Sequence, residues 1–195
     1  MKRGPEKQFD RQEVLEKAME LFWNQGFEAT GMSDLTRHMG IGRQSLYDTF
    51  GGKRQLFAES IRHYFQTRIN RMVTILRAPG SPIENLKTMF AYMNEMAGQD
   101  RHGCMIGNSV IEFGRDDDEI AQLLRRYVEA MESEFRRLIK KARAAGEIKT
   151  ETSDRDLAGL LVHTFQGMAL LSQVRYDRKA LKGVVRSLLA AMGAK

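Results

Sequence analysis

From Gly26 to Phe57 the chain reads GFEATGMSDLTRHMGIGRQSLYDTFGGKRQLF, and no other window restricts its fold as tightly. Two short helices are predicted here. Met32–Met39 has Leu35 and Met39 one turn apart on one face, and Gly40 follows where a helix can end in a left-handed residue. Gly40-Ile41-Gly42 is then the turn, and Arg43–Phe50 is the second helix, with Leu46 and Phe50 inward at a spacing of four. Arg43, Gln44, Ser45, Tyr47 and Asp48 are left for the outer faces, and their hydrogen-bonding groups suit base edges and phosphates. Spacing alone is equally compatible with a helical hairpin that binds no nucleic acid and whose polar face is only solvated.

The order of the residues adds to the spacing. The window resembles the DNA-binding domain of the TetR family of bacterial transcriptional regulators, matching at Gly26, Phe27, Thr30, Gly40, Ile41, Leu46, Tyr47, Phe50, Lys53, Leu56 and Phe57. It departs from that pattern at three positions: Gly42 replaces a serine, Gln44 a frequent glycine, and Gly52 a serine-like cap of the next helix. Glycine is a tolerated cap, so Gly42 and Gly52 are expected to weaken their helices only slightly. Gln44 adds an amide able to bond adenine N6 and N7 together. The resemblance implies contact with a double-stranded DNA operator through Thr30, Arg43, Gln44, Ser45, Tyr47, Asp48 and Lys53, with Tyr47 and Lys53 on phosphates. The motif covers about the first third of the chain. Beyond it the match is one of length and helical character.

The chain of 195 residues, 42% hydrophobic, is long enough for a real core. Its formal net charge of +6 permits an anionic partner, but the excess is spread evenly along the chain. Local charge is more informative. Between Leu35 and Phe57 the bases are Arg37, Arg43, Lys53 and Arg54, and Asp48 is the only acid. Lys2, Arg3 and Lys7 could form a short arm adding phosphate contacts, or could simply be solvated.

Helix boundaries can be read throughout. Asp10-Arg11-Gln12-Glu13 fits a capping box, with Phe9 and Val14 as a hydrophobic staple, so a first helix runs to about Gln25. Lys53 opens a long helix continuing to Leu76. Ser81-Pro82-Ile83-Glu84 starts the next, which ends near Gly98, and a short piece from His102-Gly103-Cys104 ends at Phe113. Asp116 to Glu119 supplies acid to the start of a helix reaching Gly146. Two more follow, from Ser153 to about Val174 and from Asp177 onward. No strand-period run appears, so the expected architecture is all-α. Residues 1–57 form a three-helix helix-turn-helix domain, joined by the long helix to a ligand-binding and dimerisation domain over 58–195.

The two C-terminal helices carry long apolar stripes, and the first of them is apolar nearly all round, so it must be covered on every side. Leu161, Met168, Leu181, Val185, Leu188 and Leu189 are the expected homodimer contacts, with burial inside one protomer as the competing reading. Resemblance and the two-fold symmetry of operators both favour the dimer. The Met-rich middle of the chain suits an adaptable apolar pocket for an unknown small-molecule inducer. Its candidate lining is Tyr64, Phe65, Phe90, Met93, Met96, Cys104, Met105, Met131, Phe135, His163 and Phe165, although such stripes also build ordinary core. Cys104 stands at a predicted helix start, where the dipole lowers a thiol pKa, and GCMIGNSVIEF is similar to a stretch in a TetR subfamily with electrophile-responsive members.

Other functions find little footing. There is no phosphate loop, zinc-spaced His-Glu pair or nucleophile elbow, and the four histidines show no metal-ligand spacing, so neither enzyme activity, cofactor nor metal is expected. No segment is apolar enough to span a membrane, and no apolar run follows the basic start as in a signal peptide. The single cysteine fits the cytoplasm. The expected protein is a dimeric repressor released from DNA by a small molecule; the alternative is an all-helical ligand-binding or enzymatic protein with an incidental hairpin.

Overall fold

The computed structural model describes residues 9–99, 102–115 and 118–194. Lys2, Arg3 and Lys7 of the basic arm, and Asp116 and Asp117 of the acidic run, lie outside them. Ten α-helices form among the described residues: α1 (Arg11–Gln25), α2 (Met32–Met39), α3 (Arg43–Phe50), α4 (Lys53–Tyr64), α5 (Asn70–Leu76), α6 (Pro82–Gln99), α7 (Met105–Phe113), α8 (Glu119–Ala144), α9 (Asp154–Leu171) and α10 (Arg178–Ala191). No strand appears among the described residues, and Ile148 and Ala194 make an isolated antiparallel bridge. The fold is all-α, with a helix-turn-helix at the N-terminal end and a helical C-terminal domain.

Packing divides the chain into two compact units between Gln66 and Thr67. All of α4 belongs to the first unit, because Leu56, Phe57, Ile61 and Tyr64 are buried in a core shared with Val14, Ala18, Met19 and Phe22 of α1. Phe57 is its centre: the Phe22 and Phe27 rings each lie 5.0 Å from it, centroid to centroid. Truncating such a side chain to alanine costs about 3–5 kcal/mol. Asp10 caps α1 through the Gln12 and Glu13 N–H groups, while the Glu13 carboxylate turns to Lys17 instead of closing the box.

A regular helix from Lys53 to Leu76 is corrected by the structure. Phe65–Ile69 forms a π-helical turn between α4 and α5. The buried residues step from Tyr64 to Ile69, a gap of five where an α-helix would show three or four. Tyr64 therefore faces inward against Trp23, at 5.1 Å between ring centroids, and Phe65 is only half-buried.

In the second unit α8 packs along α9, α6 lies against α5 and α10, and α7 bridges α8 and α9. Ser81 caps α6 as expected, accepting from the Glu84 N–H, but a second cap comes from far away: the Glu147 carboxylate accepts from the Ile83 N–H and the Ser81 hydroxyl. Asp118, Ser153 and Asp177 cap α8, α9 and α10.

Candidate nucleic-acid interface and effector cavity

Gly40 ends α2 at φ +70°, and its N–H bonds back to the Thr36 carbonyl, so the chain leaves in the left-handed conformation that lets α3 start three residues later. Leu35, Met39, Leu46 and Phe50 bury completely or nearly so. That fixes which side of α3 faces water. Arg43, Gln44, Tyr47 and Asp48 are exposed, and Ser45 is half-buried. The exposed side chains are already ordered by neighbours one turn away: the Gln44 amide donates to Asp48 at 2.9 Å, and the Arg43 guanidinium sits 5.9 Å from the Tyr47 ring centroid.

Three helix starts converge in sequence on this segment, and none has a side-chain cap: Gly31 precedes α2, Gly42 precedes α3 and Gly52 precedes α4. First-turn N–H groups without an intrahelical acceptor suit phosphate oxygens. Gly52 is more than a weak cap. At φ +134° it occupies a conformation that a serine would enter only under strain, and an added Cβ would come within 3.4 Å of the Tyr47 ring. Lys53 opens α4 with its ammonium 4.3 Å from the centroid of the Phe27 ring, which positions the charge at that helix start.

Thr30 is a correction. It is 0% exposed, and its hydroxyl donates to the Gly26 carbonyl, so it ties the loop after α1 and offers no side-chain surface to DNA.

Within the second unit, Cys104, Met131, Phe135 and Phe165 surround a small void of about 10 Å³, room for a single water at most. Ile69, Ile106, Tyr127, Val128, Val162 and Gln166 complete it. Tyr127 shares a stripe with Met131 and Phe135 at intervals of four, a signal present in the sequence. Outside it, an open cleft of about 430 Å³ lies between α7, α8 and α9 and takes in His163 and Cys104. Phe90, Met93 and Met105 are buried core and line neither space, as is true of the half-buried Met96. Tyr64 belongs to the first unit, and Phe65 starts the π turn. Cys104 is buried as the N-cap residue of α7.

The expected dimer contacts lie largely inside the protomer. Leu161, Met168, Leu181, Leu188 and Leu189 are buried within the protomer, and Val185 is half-buried, because these stripes seat α9 and α10 in their own core. The apolar side chains left in water are Leu160, Leu170, Leu171 and Val174 along α9 and beyond it, Val184 on α10, and Val110 and Ile111 on α7. Gly159 and Gly167 have open space where a side chain would be.

This geometry defines a helix-turn-helix DNA-binding protein with a separate helical domain. Residues 14–60 match the profile of bacterial regulatory proteins of the tetR family, and residues 82–188 that of the tetracyclin repressor-like C-terminal domain. The uncharacterized HTH-type transcriptional regulator YezE of Bacillus subtilis (strain 168) is 33% identical over 192 residues, 97% of this chain and 99% of that protein. The HTH-type transcriptional repressor ComR of Escherichia coli (strain K12) is 30% identical over 171 residues, 86% of this chain and 81% of its own. Among solved structures, a cysteine mutant of the TetR family transcriptional regulator CifR, complexed with 26-bp operator DNA, superimposes with a TM-score of 0.83 at 25% identity, covering 95% of this chain and 98% of that one. The chain belongs to the TetR family. It is a DNA-binding transcriptional regulator and not an enzyme. Among the described residues no helix is long and apolar enough to cross a membrane.

Proposed function

We propose that the chain is a cytoplasmic transcriptional repressor that binds a two-fold operator as a homodimer and is released by a small-molecule effector. The observation that carries this reading is α3, whose Leu46 and Phe50 bury while Arg43, Gln44, Tyr47 and Asp48 stand in water. Gln44 reads a base edge, Arg43, Ser45 and Asp48 flank it, and Tyr47 and Lys53 hold the phosphate backbone. Support also comes from ComR, a repressor, and from CifR, whose structure contains operator DNA.

One reading head per protomer makes dimerisation a requirement for a two-fold site. The exposed apolar surface of Leu160, Leu170, Leu171, Val174 and Val184 is the face a second copy covers. In the effector domain, Ile69 ends the π turn and also lines the small void. A molecule that opened the void would press on that turn, and single π turns inside α-helices are frequent at functional sites. The test is selection of genomic fragments on the full chain, followed by titration of the enriched sequence. Recovery of a two-fold motif bound by a dimer supports the reading; fragments without shared sequence, or binding by a monomer alone, contradict it.

A further inference from the structure

The sequence of α10 sorts its side chains by face. At about 100° per residue, Leu181, Leu188 and Met192 fall together, and they are buried in the protomer. Arg178, Lys179, Lys182 and Arg186 fall within about 100° of one another on a second side, where all are exposed, and α10 contains no acid. Val184, the α10 member of the apolar surface that a second copy covers, lies roughly 160° round the axis from both Lys182 and Arg186. The basic side is therefore turned away from that surface, whereas the cleft between α7, α8 and α9 includes Leu170, which belongs to it.

An open groove of about 440 Å³, the size of a small-molecule site, runs along the basic side between α10 and α6. Val185, Leu189, Ala190 and Ala194 give it an apolar lining, and its charged lining residues, Lys87, Lys182 and Arg186, are all positive. Lys87 is answered by Glu84 at 2.7 Å. Lys182 and Arg186 make no ion pair among the described residues, although they stand one turn apart, where like charges repel. An anion between them removes that repulsion, and the Arg186 guanidinium offers the planar fork that a carboxylate matches. The apolar lining narrows the class further. An inorganic anion would leave Val185 and Ala190 in water, and a molecule with a hydrocarbon body would cover them.

We propose that this groove is a binding site for a small amphipathic carboxylate, its head between Lys182 and Arg186 and its body along Val185, Leu189 and Ala190. The site is separate from the effector void and does not depend on the effector-responsive reading. It lies on the side of α10 away from Val184, so it is open in monomer and dimer alike.

The experiment is NMR titration of the full chain with octanoate, 1-octanol and octylammonium, which share a chain and differ in the charge of the head. Octanoate should bind saturably and at least about tenfold tighter than 1-octanol, the worth of one charge-assisted hydrogen bond, and octylammonium more weakly than either. Salt should weaken octanoate and leave 1-octanol unchanged. The double variant Lys182→Glu, Arg186→Glu should reverse the order, octylammonium binding tighter than octanoate, while circular dichroism and sedimentation match the native chain, since both side chains are exposed. Ala190→Trp fills the groove from an exposed position and should abolish octanoate binding with helicity retained. The proposal is overturned by no saturable octanoate binding, by 1-octanol binding as tightly as octanoate, or by an unchanged order in the folded double variant, which would place the carboxylate elsewhere. Normal octanoate binding by folded Ala190→Trp overturns it too. So does capture of the chain by phosphatidylglycerol vesicles without saturable octanoate binding, which would make the basic side a membrane-facing patch.

Discussion

Gln44 and Asp48 are joined across one turn of α3, the Gln44 amide donating to the Asp48 carboxylate at 2.9 Å. The bond holds a side chain able to pair bidentately with adenine in a fixed orientation, which would lower the entropy lost on binding DNA. Gln44→Ala should relax preference at one base pair per half-site at a cost of about 1–3 kcal/mol. Asp48→Ala should weaken the same base pair by less, since the amide remains. Binding measured on the operator and on single-base variants checks this; equal loss on operator and scrambled DNA removes Gln44 from base reading.

Lys53 should act on every sequence alike. Its charge rests on the Phe27 ring at the start of α4, so Lys53→Ala should weaken specific and nonspecific DNA in proportion and lower the steepness of the salt dependence by about one counterion per protomer. A change confined to the operator would place Lys53 on a base instead.

The two apolar faces of the C-terminal helices predict opposite phenotypes. Leu171 is 62% exposed and Leu188 only 6%. Leu171→Glu should give a folded monomer with poor operator affinity, because the charge lies on the surface awaiting a partner. Leu188→Glu should destabilise the protomer itself, on the order of 3 kcal/mol or more, because an unpaired carboxylate enters the core. Sedimentation and thermal unfolding separate the two; a Leu171→Glu dimer with full affinity would move the interface elsewhere.

Acid stability should depend on Glu134. Hydrogen bonding to Arg77 lowers its pKa below the ordinary value of 4.5, with Arg137 adding to the shift and burial opposing it. A depressed carboxylate stabilises the folded state above the unfolded pKa, and that contribution is lost as pH falls through the folded value. Glu134→Gln should therefore lower stability at neutral pH and flatten its decline below about pH 4.5. Parallel unfolding curves for the two proteins across that range would contradict the assignment.

What the sequence made legible followed local rules. Gly40, Leu46 and Phe50 define the turn and second helix because glycine conformation and four-residue spacing are short-range facts, and the Asp10, Ser153 and Asp177 caps follow for the same reason. Thr30 was misread because a hydroxyl in a motif does not disclose whether it faces solvent or its own backbone. The π turn was hidden by the adjacent Tyr64 and Phe65: Phe65 to Ile69 continues a regular helix on paper, whereas the packed chain uses Tyr64 to Ile69. The apolar stripes of α9 and α10 marked real burial, but periodicity cannot tell a protomer's core from a partner. Gln166, a lone amide among apolar neighbours, acquires its place on the cavity wall only when α7 brings Cys104 and Gly107 beside it.

The most direct test of the central claim is the salt dependence of binding to an operator recovered from genomic fragments. Here the full chain should select a two-fold sequence and bind it as a dimer, on the order of 10³-fold or more tighter than scrambled DNA, with log affinity falling linearly and steeply against log salt concentration. Equal affinity for operator and scrambled DNA, or affinity indifferent to salt, would contradict a sequence-reading α3 held on phosphates by its flanking helix starts.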